Sequence, residues 1–268
     1  MVLNRILLLF MFVLFGTANA QRIAIMGAMD EEIELLKVDL LHKKEVRKNG
    51  ITFFTGKLKG QKVVLLKAGI GKTNAAYSTA ILTANFKLKG LIFTGVAGGL
   101  HPDILPGDIV VATKMIQYDF GAFKNGAFET WPTRNLVQNN KRNTLYLPVD
   151  SYLLEKTKKV VEQIKLAPFQ HRIPKIYTGV IATGDTFLSD SKKAEELYSN
   201  FKALAVEMEG AAVAQICTML KLPYIVIRSC SDNANRNAPS DYAAFVKVAA
   251  GNSAQMVLAL LDHYKGEK

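Results

Sequence analysis

Short apolar runs rich in β-branched residues alternate along this chain with longer amphipathic stretches. Runs of strand length occupy 22–26, 63–67, 91–94, 108–112, 180–183, 203–206 and 224–228. Patterns with helical spacing occupy 31–41, 73–85, 151–165, 191–200, 210–220 and 243–263. Strands that alternate with helices predict an α/β fold with a mixed, mainly parallel central sheet flanked by helices. Because no repeat or linker interrupts the pattern, the sequence predicts a single domain.

The first twenty residues differ in character from the rest of the chain. Arg5 precedes an apolar run over 6–15, and small residues at 18–20 end the stretch, which is the layout of a secretory signal peptide. An uncleaved membrane anchor is the alternative, but a spanning helix needs about 20 apolar residues. We therefore expect residues 1–20 to be a signal peptide and residues 21–268 to form the domain. The mature protein is then expected in the periplasm, with no membrane span of its own.

Composition argues against several classes of protein. The formal net charge is +11, but the lysines are spread over helices and loops without interleaved aromatic residues, so we expect no nucleic-acid partner. The two cysteines, Cys217 and Cys230, lie in apolar patterns and are predicted to be buried thiols rather than a disulfide. The four histidines have no metal-ligand spacing, so no metal is predicted.

The segment 118–147 is the least regular part of the chain. It is rich in asparagine, glycine and aromatic residues, and it contains Trp131, the one tryptophan of the sequence. A long irregular segment in a domain is usually either functional or disordered, and aromatic residues argue against disorder. We therefore expect a lid or a loop that contacts a second subunit.

Glycine-rich motifs follow several predicted strands. They read GAMDEE at 27–32, AGIGKT at 68–73, TGVAGGL at 94–100 and TGDTF at 183–187. The second motif is not a P-loop, because Leu66 stands where the first glycine of that loop is required. Glycines at the carboxyl end of a strand let a ligand approach the main chain closely.

Carboxylates follow the last two predicted strands. Glu207 and Glu209 come directly after one of them, and Asp232 follows the other. Ligands of α/β sheets bind at the carboxyl ends of the strands, where carboxylates can hold sugar hydroxyls or transfer protons. Phe187, which follows a strand-ending Gly-Asp, is placed to stack on a planar base. The sequence therefore predicts an enzyme.

Taken together, the motifs resemble the nucleosidase branch of the nucleoside phosphorylase superfamily, most closely the 5′-methylthioadenosine/S-adenosylhomocysteine nucleosidases. The resemblance covers nearly all of residues 21–268 and rests, in order, on GAMDEE, AGIGKTNAA, TGVAGGL with PGDIVVA, TGDTF, VEMEGAA and RSCSDNA. It implies a nucleoside phosphorylase-like fold and hydrolysis of the N-glycosidic bond of these nucleosides, which releases adenine and the 5′-substituted ribose. It also implies a homodimer that needs no metal or organic cofactor.

The resemblance assigns catalytic roles to two carboxylates. Glu32 matches the general base that activates water, and Asp232, next to Ser231, matches the acid that protonates adenine N7. Glu209 matches the carboxylate that holds the ribose, alongside the main chain of Met208. Other positions that match substrate contacts are Phe187 at the base, Arg228 near the water and ribose, Ala97 and Gly98 near the ribose, Met29 and Ile70 at the alkylthio end, and Tyr242 and Phe245 where a neighbouring subunit or mobile helix closes the pocket. Glu207 is also predicted to bind substrate, from its place at the end of a strand.

Two departures from the family pattern concern, in order, the water site and the choice of 5′ substituent. Val96 stands where relatives often carry a small hydroxyl residue, and the segment 118–147 is longer than the common pattern. Nucleosidases for other 6-aminopurine ribosides, including deoxyfutalosine-type compounds, would share the adenine and ribose contacts and stay an alternative.

Two further alternatives differ in chemistry. A purine nucleoside phosphorylase of this fold would hold phosphate with arginines in the motifs at 27–32 and 94–100, and neither motif contains an arginine. A noncatalytic periplasmic nucleoside-binding protein would not need Glu32, Glu209 and Asp232 together.

Overall fold

The computed structural model describes residues 21–166, 168–169 and 171–264, so the predicted signal peptide at 1–20 lies outside the described residues. The strands are β1 (Arg22–Gly27), β2 (Leu41–Lys48), β3 (Ile51–Leu58), β4 (Gln61–Lys67), β5 (Leu88–Gly99), β6 (Ile109–Gln117), β7 (Gly121–Lys124), β8 (Ala127–Thr130), β9 (Arg134–Asn135), β10 (Lys141–Arg142), β11 (Leu147–Pro148), β12 (Ile176–Thr183), β13 (Ala203–Glu207) and β14 (Tyr224–Asp232). The helices are α1 (Asp30–Val38), α2 (Lys72–Asn85), α3 (Ser151–Gln163), α4 (Ser191–Phe201), α5 (Gly210–Leu220) and α6 (Ala238–His263).

A mixed sheet of ten strands forms the centre of the part of the chain that the structure describes. The strands β4, β1, β5 and β14 run parallel side by side, and β6, β12 and β13 form a second parallel set. Antiparallel pairing joins β13 to β5 and β14 to β6, so β5, β14, β6, β12 and β13 close into a ring. The predicted fold class is confirmed.

The interiors of the central strands are buried, which explains their unbroken apolar sequences. In β1 the residues from Ile23 onward are buried, and in β14 all nine residues are buried. Parallel strands that helices cover on both faces have this character. The sequence turns polar where the strands end, so the polar side chains of several strands gather at the carboxyl edge of the sheet.

The strands β2 and β3 were not predicted, and two helices have different bounds. The predicted helix 31–41 ends at Val38, and the chain enters β2 at Leu41. Nearly every residue of β2 is exposed at the edge of the sheet, so the strand lacks the apolar alternation that marks a half-buried strand. The last helix begins at Ala238 rather than 243, with Pro239 in its first turn, where proline is tolerated.

The segment 118–147 is more regular than predicted. β7 and β8 form a hairpin around Asn125 and Gly126, both with positive φ, and β9 pairs with β10. The rings of Phe123 and Phe128 meet edge to face across the hairpin at 5.3 Å. The prediction of an irregular loop was therefore wrong, whereas contact with a second subunit stays a prediction.

The helix α6 lies against the sheet. It packs on β14, β5, α1 and α3. Within the described residues it is the one helix long and apolar enough to span a membrane by length and composition alone, and the absence of a membrane span stays a prediction. Half of its most apolar window is buried in the protein, which also suits a core helix. Cys217 and Cys230 are buried and unpaired, as predicted.

Candidate active site

A cavity of about 370 Å³ opens at the carboxyl edge of the sheet, beside the ends of β1, β12, β13 and β14 and the last residues of β5. Segments far apart in the chain meet here, as expected for an α/β sheet. Among the residues that line the cavity are twelve that the sequence predicted for a site: Met29, Glu32, Ile70, Ala97, Gly98, Phe187, Glu207, Met208, Glu209, Ser231, Asp232 and Tyr242.

Glu32 lies in the first turn of α1 and is 3% exposed. One carboxylate oxygen accepts hydrogen bonds from the backbone N–H groups of Ala28 and Met29, the latter at 2.9 Å. The other oxygen accepts from the N–H of Val96 in β5 at 2.9 Å. Burial raises the pKa of Glu32, although nearby Arg228 and the three N–H donors oppose the shift. A buried carboxylate with a raised pKa is a stronger base than an exposed one once it is ionised.

Glu207 at the cavity wall forms a buried ion pair with Arg228 behind it. The guanidinium Nη2 donates to Glu207 Oε2 at 2.7 Å, and the guanidinium plane lies 4.1 Å from the ring centre of Phe93. Glu207 also accepts from the hydroxyl of Thr183 and from the N–H of Gly210 at 2.8 Å. With these donors in place, Glu207 positions Arg228 and the start of α5.

Glu209 directly precedes α5 and faces the cavity with little solvent contact. Its Oε1 accepts from the N–H of Gly71 at 2.8 Å, and its Oε2 lies 4.0 Å from Arg228 Nη2. Burial and the neighbouring Glu207 raise the pKa of Glu209 to about 8, against the opposing effect of Arg228. One buried arginine thus stands among three carboxylates, which leaves an excess of acid in the site.

Asp232 is the last residue of β14 and is also buried. Its Oδ1 accepts from the N–H of Ala234 at 2.8 Å, and its Oδ2 accepts from the hydroxyl of Ser231 at 2.8 Å. Burial raises the pKa of Asp232, although these two hydrogen bonds oppose the shift. Because burial favours the neutral form, this side chain is suited to hold a proton and donate it to a ligand.

The outer part of the cavity is apolar. The hydroxyl of Tyr242 lies 3.0 Å from the sulfur of Met29, and its ring meets the ring of Phe187 edge to face at 5.7 Å. Ile70 and Phe187 are 53% and 45% exposed. Large exposed apolar side chains at the rim of a buried polar site favour a ligand with one polar and one apolar end.

Two predicted residues do not line the cavity. Arg228 acts behind the wall through Glu207, and Phe245 packs its ring against Phe169 at 5.2 Å. Sequence reasoning missed Thr183, whose hydroxyl donates to Glu207 and accepts from the N–H of Ala211, and Gly71, whose N–H holds Glu209. Both lie in the glycine-rich motifs, which were the available signal. In the described part of the chain, no group of three or more histidine, cysteine or acidic side chains is arranged to hold a metal.

The raised pKa of Glu209 predicts a pH dependence of stability. Between the ordinary value of 4.5 and about 8, the folded protein keeps a proton on Glu209 that the unfolded chain releases. The resulting contribution is fully present below pH 4.5 and is lost as pH rises toward about 8. We therefore expect the free energy of unfolding of the wild type to fall across this window relative to that of Glu209→Gln. Urea denaturation of both proteins at several pH values measures the difference, and a difference independent of pH would contradict the prediction.

The chain matches the phosphorylase superfamily over residues 22–262. A 5′-methylthioadenosine/S-adenosylhomocysteine nucleosidase from Colwellia psychrerythraea is 37% identical over 244 residues, which is 91% of this chain and 96% of the relative. The Streptococcus pneumoniae nucleosidase of the same kind, solved with the transition-state inhibitor MT-ImmA, is 35% identical with a TM-score of 0.79 and covers 91% of this chain and 100% of its own. Futalosine hydrolase of Helicobacter pylori is 30% identical with a TM-score of 0.75 and covers 90% of this chain and 97% of its own. By this likeness the chain belongs to the phosphorylase superfamily and, within it, to the family of 5′-methylthioadenosine/S-adenosylhomocysteine nucleosidases.

Proposed function

We propose that the protein hydrolyses the N-glycosidic bond of 5′-methylthioadenosine and S-adenosylhomocysteine, or of a related adenine nucleoside, and releases adenine and the 5′-substituted ribose. The observation that carries the proposal is the meeting of Glu32, Glu209 and Asp232 at one cavity with an apolar rim. The family of the chain supports it, because the Colwellia psychrerythraea and Streptococcus pneumoniae relatives are nucleosidases of this kind. The proposed reaction uses no metal or organic cofactor.

Asp232 is the proposed general acid. Cleavage of a ribosyl–adenine bond leaves electron density on the base, which departs more readily when a proton is delivered to N7. The buried carboxyl of Asp232 favours its protonated form, and Ser231 fixes its orientation through the hydrogen bond at 2.8 Å. A positioned acid of this kind contributes about 10²–10⁴-fold to a rate.

Glu32 is the proposed general base on the opposite side of the sugar. Three backbone N–H donors hold its carboxylate, so the side chain is already oriented before a water molecule binds. The two proposed catalytic carboxyls thus have different surroundings: the Arg228 guanidinium and three N–H donors oppose the raised pKa of Glu32, whereas nearby Asp241 adds to the raised pKa of Asp232. Such a division between base and acid is the usual arrangement for glycosidic hydrolysis.

Glu209 is the proposed partner of the ribose hydroxyls. An oxocarbenium-like transition state gains positive charge on the sugar, so hydrogen bonds to a nearby carboxylate strengthen as the bond breaks. The N–H of Gly71 fixes one oxygen of Glu209 and leaves the other near Arg228 and the cavity. Arg228 holds the acidic group together rather than binding substrate directly, since Glu207 takes its closest hydrogen bond.

Hydrolysis is favoured over phosphorolysis by the charge of the site. Among the described residues that line the cavity there is no arginine, and Arg228 behind the wall is paired with Glu207 at 2.7 Å beside Glu32 and Glu209. The charge of Arg228 is thus already balanced by a carboxylate, so it is not free to hold a phosphate dianion. The apolar rim of Met29 and Ile70 suits an alkylthio substituent on the ribose. Because the chain is also similar to futalosine hydrolase, adenine nucleosides with other 5′ groups stay candidate substrates.

A substrate panel on the purified protein tests the proposal. Release of free adenine is measured from 5′-methylthioadenosine, S-adenosylhomocysteine, adenosine and a deoxyfutalosine-type nucleoside, each with and without phosphate. We expect phosphate-independent release from the first two, with the free 5′-substituted ribose as product, and release about 10²–10⁴-fold slower from the variant Asp232→Asn. Ribose 1-phosphate as product would establish a phosphorylase, and tight binding without turnover would establish a binding protein.

The protein is also proposed to form a homodimer through the hairpin of β7 and β8 and the chain that follows it. Phe123 is 81% exposed, and Trp131, Leu136 and Val137 are exposed in the same segment. An apolar, aromatic surface of this kind is characteristic of the core of a subunit interface. We expect sedimentation to show a dimer and Phe123→Ser with Trp131→Ser to weaken it, while a matched change at the exposed Val38 leaves it unaffected. A fully active wild-type monomer would exclude this role.

Export is proposed from the character of residues 1–20. The mature chain then begins at Gln21, directly before β1, and acts on nucleosides outside the cytoplasm. Cell fractionation with N-terminal sequencing measures this. Cytoplasmic protein that retains Met1 would contradict export without bearing on the activity.

A further inference from the structure

Cations gather at the edge of the sheet opposite the cavity. A shallow depression of about 190 Å³ lies there, and its charged or basic lining residues are Arg22, His42, Lys44, Lys57 and Lys62. These residues belong to four neighbouring strands, β1 to β4. Arg22 begins β1, whose other end leads to Glu32, so a strand of six residues, on the order of 20 Å, separates the cations from the catalytic carboxylates.

The strand register brings like charges together. Lys57 of β3 stands directly opposite Lys62 of β4 in the antiparallel pair. Like charges at directly opposed positions destabilise a sheet. Among the residues that the structure describes, Arg22, Lys44, Lys57 and Lys62 form no ion pair, although Lys59 nearby pairs with Asp262 at 3.7 Å. The positive charge of this edge is therefore not neutralised within the described fold.

Protection of the outer strand against pairing with another chain explains only some of these cations. Lysines on an outer strand discourage pairing with another chain, and β2 is the outer strand here. Lys62 and Arg22, however, lie on β4 and β1, inside the sheet, where no free edge needs protection. A β-bulge between Leu41 and Lys44, with His42 at positive φ, also reshapes this end of β2. Bulges commonly re-aim side chains at sheet edges.

We propose that this amino edge docks on an anionic phospholipid surface. The cations of this concave depression form no ion pair and are opposite in charge to the phosphate groups of such a surface. Each clustered cation near a membrane adds to the free energy of binding. Gln21, the first residue of the proposed mature chain, directly precedes Arg22 at this same edge. With the amino edge on the membrane, the cavity at the carboxyl edge faces away from it and stays open to substrate.

Vesicle cosedimentation tests this docking. The proposed mature chain, which begins at Gln21 and keeps every described residue, is mixed with vesicles of phosphatidylglycerol and phosphatidylcholine or of phosphatidylcholine alone. We expect binding to the anionic vesicles only, and its loss at high salt. The triple variant Lys44→Gln, Lys57→Gln and Lys62→Gln should bind on the order of 100-fold more weakly, from about 1 kcal/mol per cation.

A matched variant separates the edge from the overall charge. Lys158, Lys192 and Lys247 are exposed and lie on α3, α4 and α6, so replacing all three with glutamine changes the net charge equally. This control should bind nearly as the wild type does, and both triple variants should keep the hydrolytic activity. Equal loss in the two variants, binding to neutral vesicles, or binding of a DNA duplex at salt that releases the vesicles would overturn the proposal. None of these outcomes depends on which nucleoside the cavity accepts.

Discussion

Replacement of Asp232 with asparagine is expected to lower kcat by about 10²–10⁴-fold, with a much smaller effect on substrate binding. The amide keeps the shape of the side chain and its oxygen can still accept from the N–H of Ala234, but it has no carboxyl proton to deliver to the base. Steady-state kinetics and the affinity of a nonhydrolysable nucleoside analogue measure the two effects separately.

The leaving group provides a sharper control for Asp232. The nitrophenolate group of a nitrophenyl riboside leaves without being protonated. Hydrolysis of this substrate should therefore be far less sensitive to Asp232→Asn than the release of adenine. Equal loss on both substrates would mean that the variant disturbs the site as a whole, and near-normal release of adenine would remove Asp232 from its role as the acid.

Replacement of Glu32 with glutamine is expected to abolish measurable hydrolysis while substrate still binds. The amide cannot take a proton from water, so the attacking water molecule is no longer activated. Its NH₂ group would also face at least one of the N–H donors of Ala28, Met29 and Val96, which costs about 1–3 kcal/mol of stability for an unsatisfied buried donor. Urea denaturation and turnover must therefore be measured on the same preparation.

A second variant distinguishes a lost base from a weakened fold. Glu32→Ala leaves room for a small carboxylate, and added formate should restore part of the activity if a base is what the site lacks. A folded Glu32→Gln protein with wild-type turnover would show that another residue is the general base. Asp30 is a poor substitute in this structure, because it forms an exposed ion pair with Lys67 at 2.7 Å instead of lining the cavity.

The fold class and the place of the site were predictable for the same physical reason. Buried strands have unbroken apolar sequences, so a carboxylate such as Asp232 marks the end of one, and the ends of parallel strands meet at one edge. The hairpin at β7 and β8 also had an available signal in Asn125-Gly126, whose positive φ values suit a tight hairpin turn. That signal was outweighed by the polar, irregular composition around it.

The sequence could not predict which of Glu207 and Glu209 pairs with Arg228 and which faces the cavity. Two residues apart on a continued strand, they would share one face of the sheet. The strand ends at Glu207, so Glu207 turns to Arg228 and Thr183 while Glu209 turns to the cavity and Gly71. Only the position of the buried arginine, which comes from a distant strand, decides which carboxylate is left for a ligand.

Two glycines of β5 limit the amino-acid replacements that the active site can accept. A Cβ at Gly95 would lie 2.5 Å from Glu32 Oε1, and one at Gly98 would lie 2.9 Å from Asp232 Oδ1. The smallest side chain at either position therefore displaces a proposed catalytic carboxylate, whereas a Cβ at Gly251 meets Leu35 at an ordinary 3.6 Å. In a saturation mutagenesis library sorted separately for abundance and for turnover, Gly95 and Gly98 should tolerate no replacement in the turnover sort, and Gly251 should accept alanine in both. One strand thus sets the mutational tolerance of both proposed catalytic carboxylates at once.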